Sequence, residues 1–148
     1  MRALDRFRNF LIMAGGFIGP FQGQSIAVVL PEFAADFGIT LRQASLTMTA
    51  FLMSFATAML FSTYLVRNLQ PAKVVRCAFG VIALAAVVLA LTPKWWLFVV
   101  AFIAAALANA FTSPLLQLIL KAMTPEDELG KALGTYQAMQ SLSLIHIS

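Results

Sequence analysis

Charge is missing from four long stretches of this chain, roughly Phe10–Leu30, Ser45–Val66, Cys77–Leu91 and Trp95–Leu120. No Asp, Glu, Lys, Arg or His occurs inside any of them. A water-soluble core of this size would need polar residues to cover such faces. A bilayer does the opposite, because it solvates apolar side chains and penalises each charge by about 2.5–3.5 kcal/mol. Val81 to Leu91 is apolar on every side, unlike a barrel strand, which alternates apolar and polar over about 10 residues. A run of about 20 residues at a rise of ~1.5 Å each crosses the ~30 Å hydrocarbon layer. The pattern predicts an all-α, polytopic transmembrane helix bundle. Helices are expected at about 10–30, 45–66, 74–92 and 95–120, with an incomplete one over 126–148, all in one transmembrane domain spanning 1–148.

Local punctuation refines these boundaries. Thr40-Leu41-Arg42-Gln43 has the spacing of a capping box and puts a helix start near Thr40. Thr92-Pro93 reads as an N-cap with a first-turn proline, which leaves Trp95 and Trp96 at headgroup depth. Thr124-Pro125-Glu126-Asp127-Glu128 repeats that pattern, its carboxylates favouring the positive end of a helix dipole. The helix begun there is still polar at Gln137, Gln140 and Ser141. A full span from Leu133 would run to the mid-150s, so the expectation is a fragment. Its last six residues, Ser143 to Ser148, resemble translated adapter read-through, and His146 therefore receives no mechanistic weight.

Composition narrows the class. The chain is 61% hydrophobic and 11% charged, with mean hydropathy +0.88, which excludes an ordinary soluble domain. Its net charge of +4 would raise nucleic-acid binding in a soluble protein. Here the basic residues sit at helix ends without interleaved stacking aromatics, so no nucleic-acid partner is expected. With the N-terminus inside, Arg2, Arg6, Arg8, Arg67, Lys73, Arg76, Lys121 and Lys131 are cytoplasmic, and only Arg42 and Lys94 lie outside. That bias predicts a multi-pass protein of the cell membrane with a cytoplasmic amino terminus. The first span is too long for a signal peptide, is interrupted by Gly15, Gly16, Gly19, Pro20, Gln22 and Gln24, and lacks a small-residue cleavage site. Cys77, the lone cysteine, is expected to pack as a small hydrophobe. No catalytic or metal-binding constellation is present, so neither an enzyme nor a cofactor is expected. Glu126 to Glu128 reads as a solvated helix start.

Several segments in order resemble the N-terminal part of a major facilitator superfamily transporter. Leu30-Pro31 followed by Asp36-Phe37-Gly38-Ile39-Thr40 resembles the exit from that family's first helix. Gln43-Ala44-Ser45-Leu46-Thr47-Met48-Thr49-Ala50-Phe51-Leu52 is similar to its second helix, especially in drug exporters. Pro114, Thr124-Pro125-Glu126 and Gly130-Lys131-Ala132-Leu133-Gly134 resemble the end of the fourth helix and the loop behind it. The resemblance covers nearly the whole chain. It implies transport of a small organic molecule by two bundles rocking about a midplane site, with the C-terminal half of the same protein as the missing partner.

The departures are specific. The family's loop between helices two and three reads G-x-x-x-D-R-x-G-R/K. Here Val66 stands for the acid, and Ser62 and Leu69 stand for the glycines. Arg67 and Lys73 remain as the cytoplasmic gate loop. Phe102 falls where many proton-coupled members carry arginine, Ala106, Ala108 and Ala110 fall on neighbouring glycines, and Gln22 falls where exporters often carry aspartate.

The remaining polar residues are patterned. Asn109, Ser113 and Gln117 recur every four residues with Thr112 beside them, one arc of a helix. Ala101 and Ala105 extend that arc outward, and Leu115 falls on the opposite, lipid side. Gln22 and Ser25 lie within about 60° of each other on the first helix. Two readings stand: helix–helix hydrogen bonding, or lining of a substrate pathway. The resemblance favours lining, because the first and fourth helices flank the family's cavity. Gly15-x-x-x-Gly19-x-x-x-Gly23 permits close packing, a homodimer face or a hinge, and Pro20 allows a bend. Pro114 is read as a packing residue of the fourth span. The methionines and phenylalanines are read as packing and lipid contact. The expected function is secondary active transport of a small organic solute, in the direction of efflux. The alternative is a small non-transporting membrane subunit or scaffold.

Overall fold

The computed structural model describes residues 3–145, leaving aside the side chains of residues 3–6, 8, 19, 20, 22–24, 26, 63, 65, 66 and 142–145. Arg2, His146 and Ser148 lie outside the described residues. Among the described residues six helices follow one another: α1 (Ala3–Val28), α2 (Leu30–Asp36), α3 (Leu41–Val66), α4 (Pro71–Leu91), α5 (Trp95–Met123) and α6 (Glu126–Ile145). Among the described residues there is no strand, and the chain is an all-α bundle. Among the described residues, three stretches are long and apolar enough to cross a membrane: Leu41–Ser62, Pro71–Leu91 and Trp95–Met123. In α1 the shorter run Asn9–Ile18 is apolar.

The first span does not end at Leu30. α1 stops at Val28, Val29 takes φ −95° and ψ 21°, and α2 begins with Pro31 in its first turn. Proline has no N–H to extend the ladder of α1, but is tolerated where first-turn donors are free anyway. Asp36-Phe37-Gly38-Ile39-Thr40 then turns the chain. Gly38 adopts φ +60°, a left-handed conformation that glycine enters without a Cβ clash. Its N–H donates to the Ala35 carbonyl at 3.1 Å, and that of Ile39 to Ala34 at 3.0 Å, the paired bonds of a Schellman cap. Thr40 next caps α3 as the spacing predicts. The Gln43 N–H donates to Thr40 Oγ1 at 3.2 Å, and the Thr40 N–H donates to Gln43 Oε1 at 2.9 Å.

Two other expected caps are corrected. Thr92 closes α4 rather than opening α5, and α5 starts at Trp95 behind Lys94, with no side-chain cap. The Lys94 N–H donates to Thr92 Oγ1 at 3.3 Å, so the hydroxyl binds within the turn instead of reaching the next helix. Thr124 likewise ends α5, donating to the Leu120 carbonyl at 2.7 Å, and α6 begins after Pro125. Thr92 thus bonds within the turn and Thr124 bonds back to its own helix, so neither hydroxyl caps the following one.

α5 packs against α1, α3, α4 and α6, and α6 lies mainly along α1. Small residues bring α4 and α5 together, with Ala85 meeting Ala101 and Ala105, and Ala78 and Ile82 meeting Ala108. Such residues let helix backbones approach where lipid supplies no hydrophobic drive. Larger side chains fill the two ends. Phe33, Phe51, Phe98 and Phe102 form one cluster, and Ile12, Val75, Leu115, Leu116, Leu120 and Tyr136 form the other.

Two orientations differ from expectation. Cys77 is exposed, because α4 commits Val75, Ala78, Ile82 and Ala85 to its buried face and Cys77 sits off that line. Leu115 is buried at 4% exposure rather than facing lipid. It joins Val75 and Ile12 in one cluster, which puts protein on a flank of α5 where the polar arc left lipid.

Candidate functional site

The polar arc of α5 lies inside the bundle. Asn109 and Thr112 are buried, while Ser113 and Gln117 are half-buried. The Thr112 hydroxyl donates to its own helix, at the Asn109 carbonyl, 3.0 Å away. Ser113 is engaged across helices, its Oγ accepting from Gln140 Nε2 at 2.9 Å and its carbonyl from the Tyr136 hydroxyl at 3.4 Å. Pro114, half-buried in α5, has no N–H for the Ala110 carbonyl one turn earlier.

Tyr136 and Gln140 are the residues that sequence reasoning missed. They are four apart on α6 and so share one face. Tyr136 is completely buried. A Cβ added to Gly16 would lie 2.5 and 2.8 Å from ring carbons of Tyr136, so α1 and α6 meet where glycine is required. Gly15 is also a close approach, a Cβ there lying 3.0 Å from both Leu116 and Phe79. Among the described glycines the tightest contact is therefore at Gly16, beside the expected small-residue stripe. Gly19, Pro20, Gln22 and Gly23 fall within the α1 helix, but their side chains lie outside the described residues, as does any meeting of Gln22 with the α5 arc. Ser25, half-buried, donates to the Phe21 carbonyl at 2.7 Å.

At the other end of the bundle lies an aromatic group. Phe102 has no exposed surface and stacks on Phe51 with centroids 4.3 Å apart and an interplanar angle of 26°. Phe98 lies 5.8 Å from Phe102 and 4.7 Å from Phe33. Nearby, Trp95 Nε1 donates to Thr47 Oγ1 at 3.0 Å, tying α5 to α3, while Trp96 is exposed. In the loop after α3, Arg67 holds its guanidinium over the Tyr64 ring at 4.9 Å, within reach of a cation–π attraction. Lys73 is exposed in the first turn of α4. Among the described residues, no group of three His, Cys, Asp or Glu side chains converges to hold a metal.

No curated protein and no solved structure matches the chain. The profile of the Major Facilitator Superfamily matches residues 12–146, taking in α2 to α5 whole, most of α1 and α6 to its end. A match of that extent, on a bundle in which three of the described helices are long and apolar enough to cross a bilayer, places the chain in the Major Facilitator Superfamily, a family of multi-pass membrane transporters rather than enzymes.

Proposed function

We propose that this bundle forms one half of a secondary active transporter that moves a small organic solute out of the cell by alternating access. Family membership over residues 12–146 carries the reading. The second bundle is the C-terminal half of the same protein, and the two rock around a site near the membrane midplane. The amino terminus and the segment Arg67–Arg76, the turn after α3 with the start of α4, are cytoplasmic, and the membrane is the cell membrane. Gln22, Ser25, Asn109, Thr112, Ser113 and Gln117 supply the polar lining of the pathway. Arg67 and Lys73 serve the cytoplasmic gate. The lining is uncharged, so it positions solute by hydrogen bonds rather than by ion pairing.

The test uses the two-bundle protein in proteoliposomes. A bulky maleimide should block flux through Ser113→Cys, and leave Leu118→Cys on the exposed face of α5 unaffected. Both variants are built on Cys77→Ser, because Cys77 is itself exposed. The 148-residue chain alone should give no saturable flux of lipophilic dyes, since it has no second bundle to rock against. Equal responses of the two cysteines would leave the arc a packing device, a role that the Gln140–Ser113 bond already illustrates.

A further inference from the structure

A cleft of about 580 Å³ opens between α3 and α5, lined by Met53, Ser54, Thr57, Phe61, Leu107 and Phe111. It is separate from the polar arc. Leu107 lies some 160° around α5 from Asn109, and Phe111 some 200°, at 100° per residue. The volume falls in the ~300–1,000 Å³ range of small-molecule sites. Its walls are thioether, aromatic ring and aliphatic carbon, apart from two hydroxyls.

Those hydroxyls are what set the cleft apart. In an apolar span, Ser and Thr ordinarily satisfy themselves by donating to a carbonyl one turn back. Here Ser25, Ser45, Thr47, Thr49, Ser62, Thr112, Thr124, Thr135 and Ser141 all do so. Among the described residues, the hydroxyls of half-buried Ser54 and exposed Thr57 donate to no such carbonyl, and both line the cleft. Three residues apart, they lie on one face of α3. A lipid chain or an apolar helix would leave both unsatisfied.

We infer that the α3–α5 cleft binds an uncharged, lipophilic aromatic molecule carrying a hydrogen-bond acceptor. Its ring lies among Phe61, Phe111 and Met53, and its acceptor takes the Ser54 and Thr57 hydroxyls. No ionisable side chain lines the cleft, so a charged ligand would lose its hydration without compensation. The cleft lies beside the proposed pathway rather than on its polar lining, and the inference rests on the transport reading only for its physiological use. Binding itself does not require transport.

Benzophenone is a suitable probe, being neutral, aromatic and a ketone acceptor that photolabels C–H bonds. The protein in lipid nanodiscs is irradiated over a range of benzophenone concentrations, and adducts are mapped by mass spectrometry. Saturable labelling at Met53 is expected, with 4-benzoylbenzoate, its anionic analogue, competing at least tenfold more weakly. Ser54→Ala with Thr57→Val should lower sub-saturating capture about tenfold, the equivalent of losing one to two hydrogen bonds. Ala58 also lines the cleft, and Ala58→Trp should abolish capture by filling it. Circular dichroism confirms that each variant is folded, and the paired hydroxyl variant is small enough to keep the test alive if Ala58→Trp is not. Labelling that rises without saturation, or is equal in the hydroxyl-free variant, would overturn the assignment and mark the cleft as a lipid contact. Capture without flux would sink the transport reading alone. Flux unaffected by Ala58→Trp, without saturable capture, would sink the cleft alone.

Discussion

Gly16→Ala is the sharpest perturbation the packing offers. The added methyl would lie 2.5 and 2.8 Å from two carbons of the Tyr136 ring. Carbon atoms pack at about 3.5–4.0 Å, so α1 and α6 must part by about 1 Å. Tyr136 is fully enclosed and has no free side to retreat into. Moving α6 would also stretch the Tyr136–Ser113 contact, already 3.4 Å, and the Gln140–Ser113 bond. Overpacking of this kind costs about 1–3 kcal/mol. Alanine's better helix propensity offsets at most ~1 kcal/mol of that. Gly134→Ala and Gly80→Ala provide the contrast, because a Cβ at either position meets nothing within 4 Å. They should be neutral or stabilising by up to ~1 kcal/mol. Gly15→Ala should fall between, since the ends of Leu116 and Phe79 at 3.0 Å can yield by a few tenths of an ångström. The assay is reversible unfolding by SDS in maltoside micelles, followed by circular dichroism, within a double-mutant cycle. In a Tyr136→Ala background the Gly16→Ala penalty should vanish. If Gly16→Ala is as stable as the parent, or its penalty survives Tyr136→Ala, the contact does not hold α6 in place.

Three further outcomes are expected. Phe102→Arg would bury a cation among Phe51 and Phe98 at a cost of at least about 2.5–3.5 kcal/mol; folded yield should collapse while Phe102→Leu retains it, and normal yield of the arginine variant would show that water reaches this end. Single cysteines at Asn68 and Asp127, on a Cys77→Ser background, should resist impermeant maleimide in intact cells while one at Asp36 reacts; strong labelling of Asp127 from outside would reverse the topology. Gln140→Leu should weaken the α5–α6 contact by about 0.6 kcal/mol, typical of interhelical hydrogen bonds in membranes, and that loss should disappear in a Ser113→Ala background if the bond is the cause.

What the sequence determined by itself is what depends on neighbours along the chain and on the solvent. Charge-free runs marked the three helices apolar enough to cross a membrane, because a bilayer rejects charge wherever it falls on the helix. Thr40 and Gln43 marked the start of α3, because both capping bonds close within four residues. The Gly38 step also shows in the sequence, since its turn is a local backbone requirement. Thr92 and Thr124 differ from that reading even locally, because a hydroxyl between two helices has competing backbone partners: Thr92 bonds within the turn and Thr124 back to α5.

Only the tertiary structure decided which side of each helix meets protein. Lipid is as apolar as leucine, so polarity does not separate a packed face from a lipid-facing one. Leu115 and Leu118 look alike in sequence, yet one is buried and the other exposed. The same blindness hid the exposure of Cys77 on α4. Gly16 and Tyr136 lie 120 positions apart, and neither carries a mark of the other. Gln140 became part of the α5 arc through the rotation of α6, which places its amide 2.9 Å from Ser113. Periodicity placed the polar residues of α5 on one arc, but which helix faces that arc is set by how backbones pack where small residues let them approach.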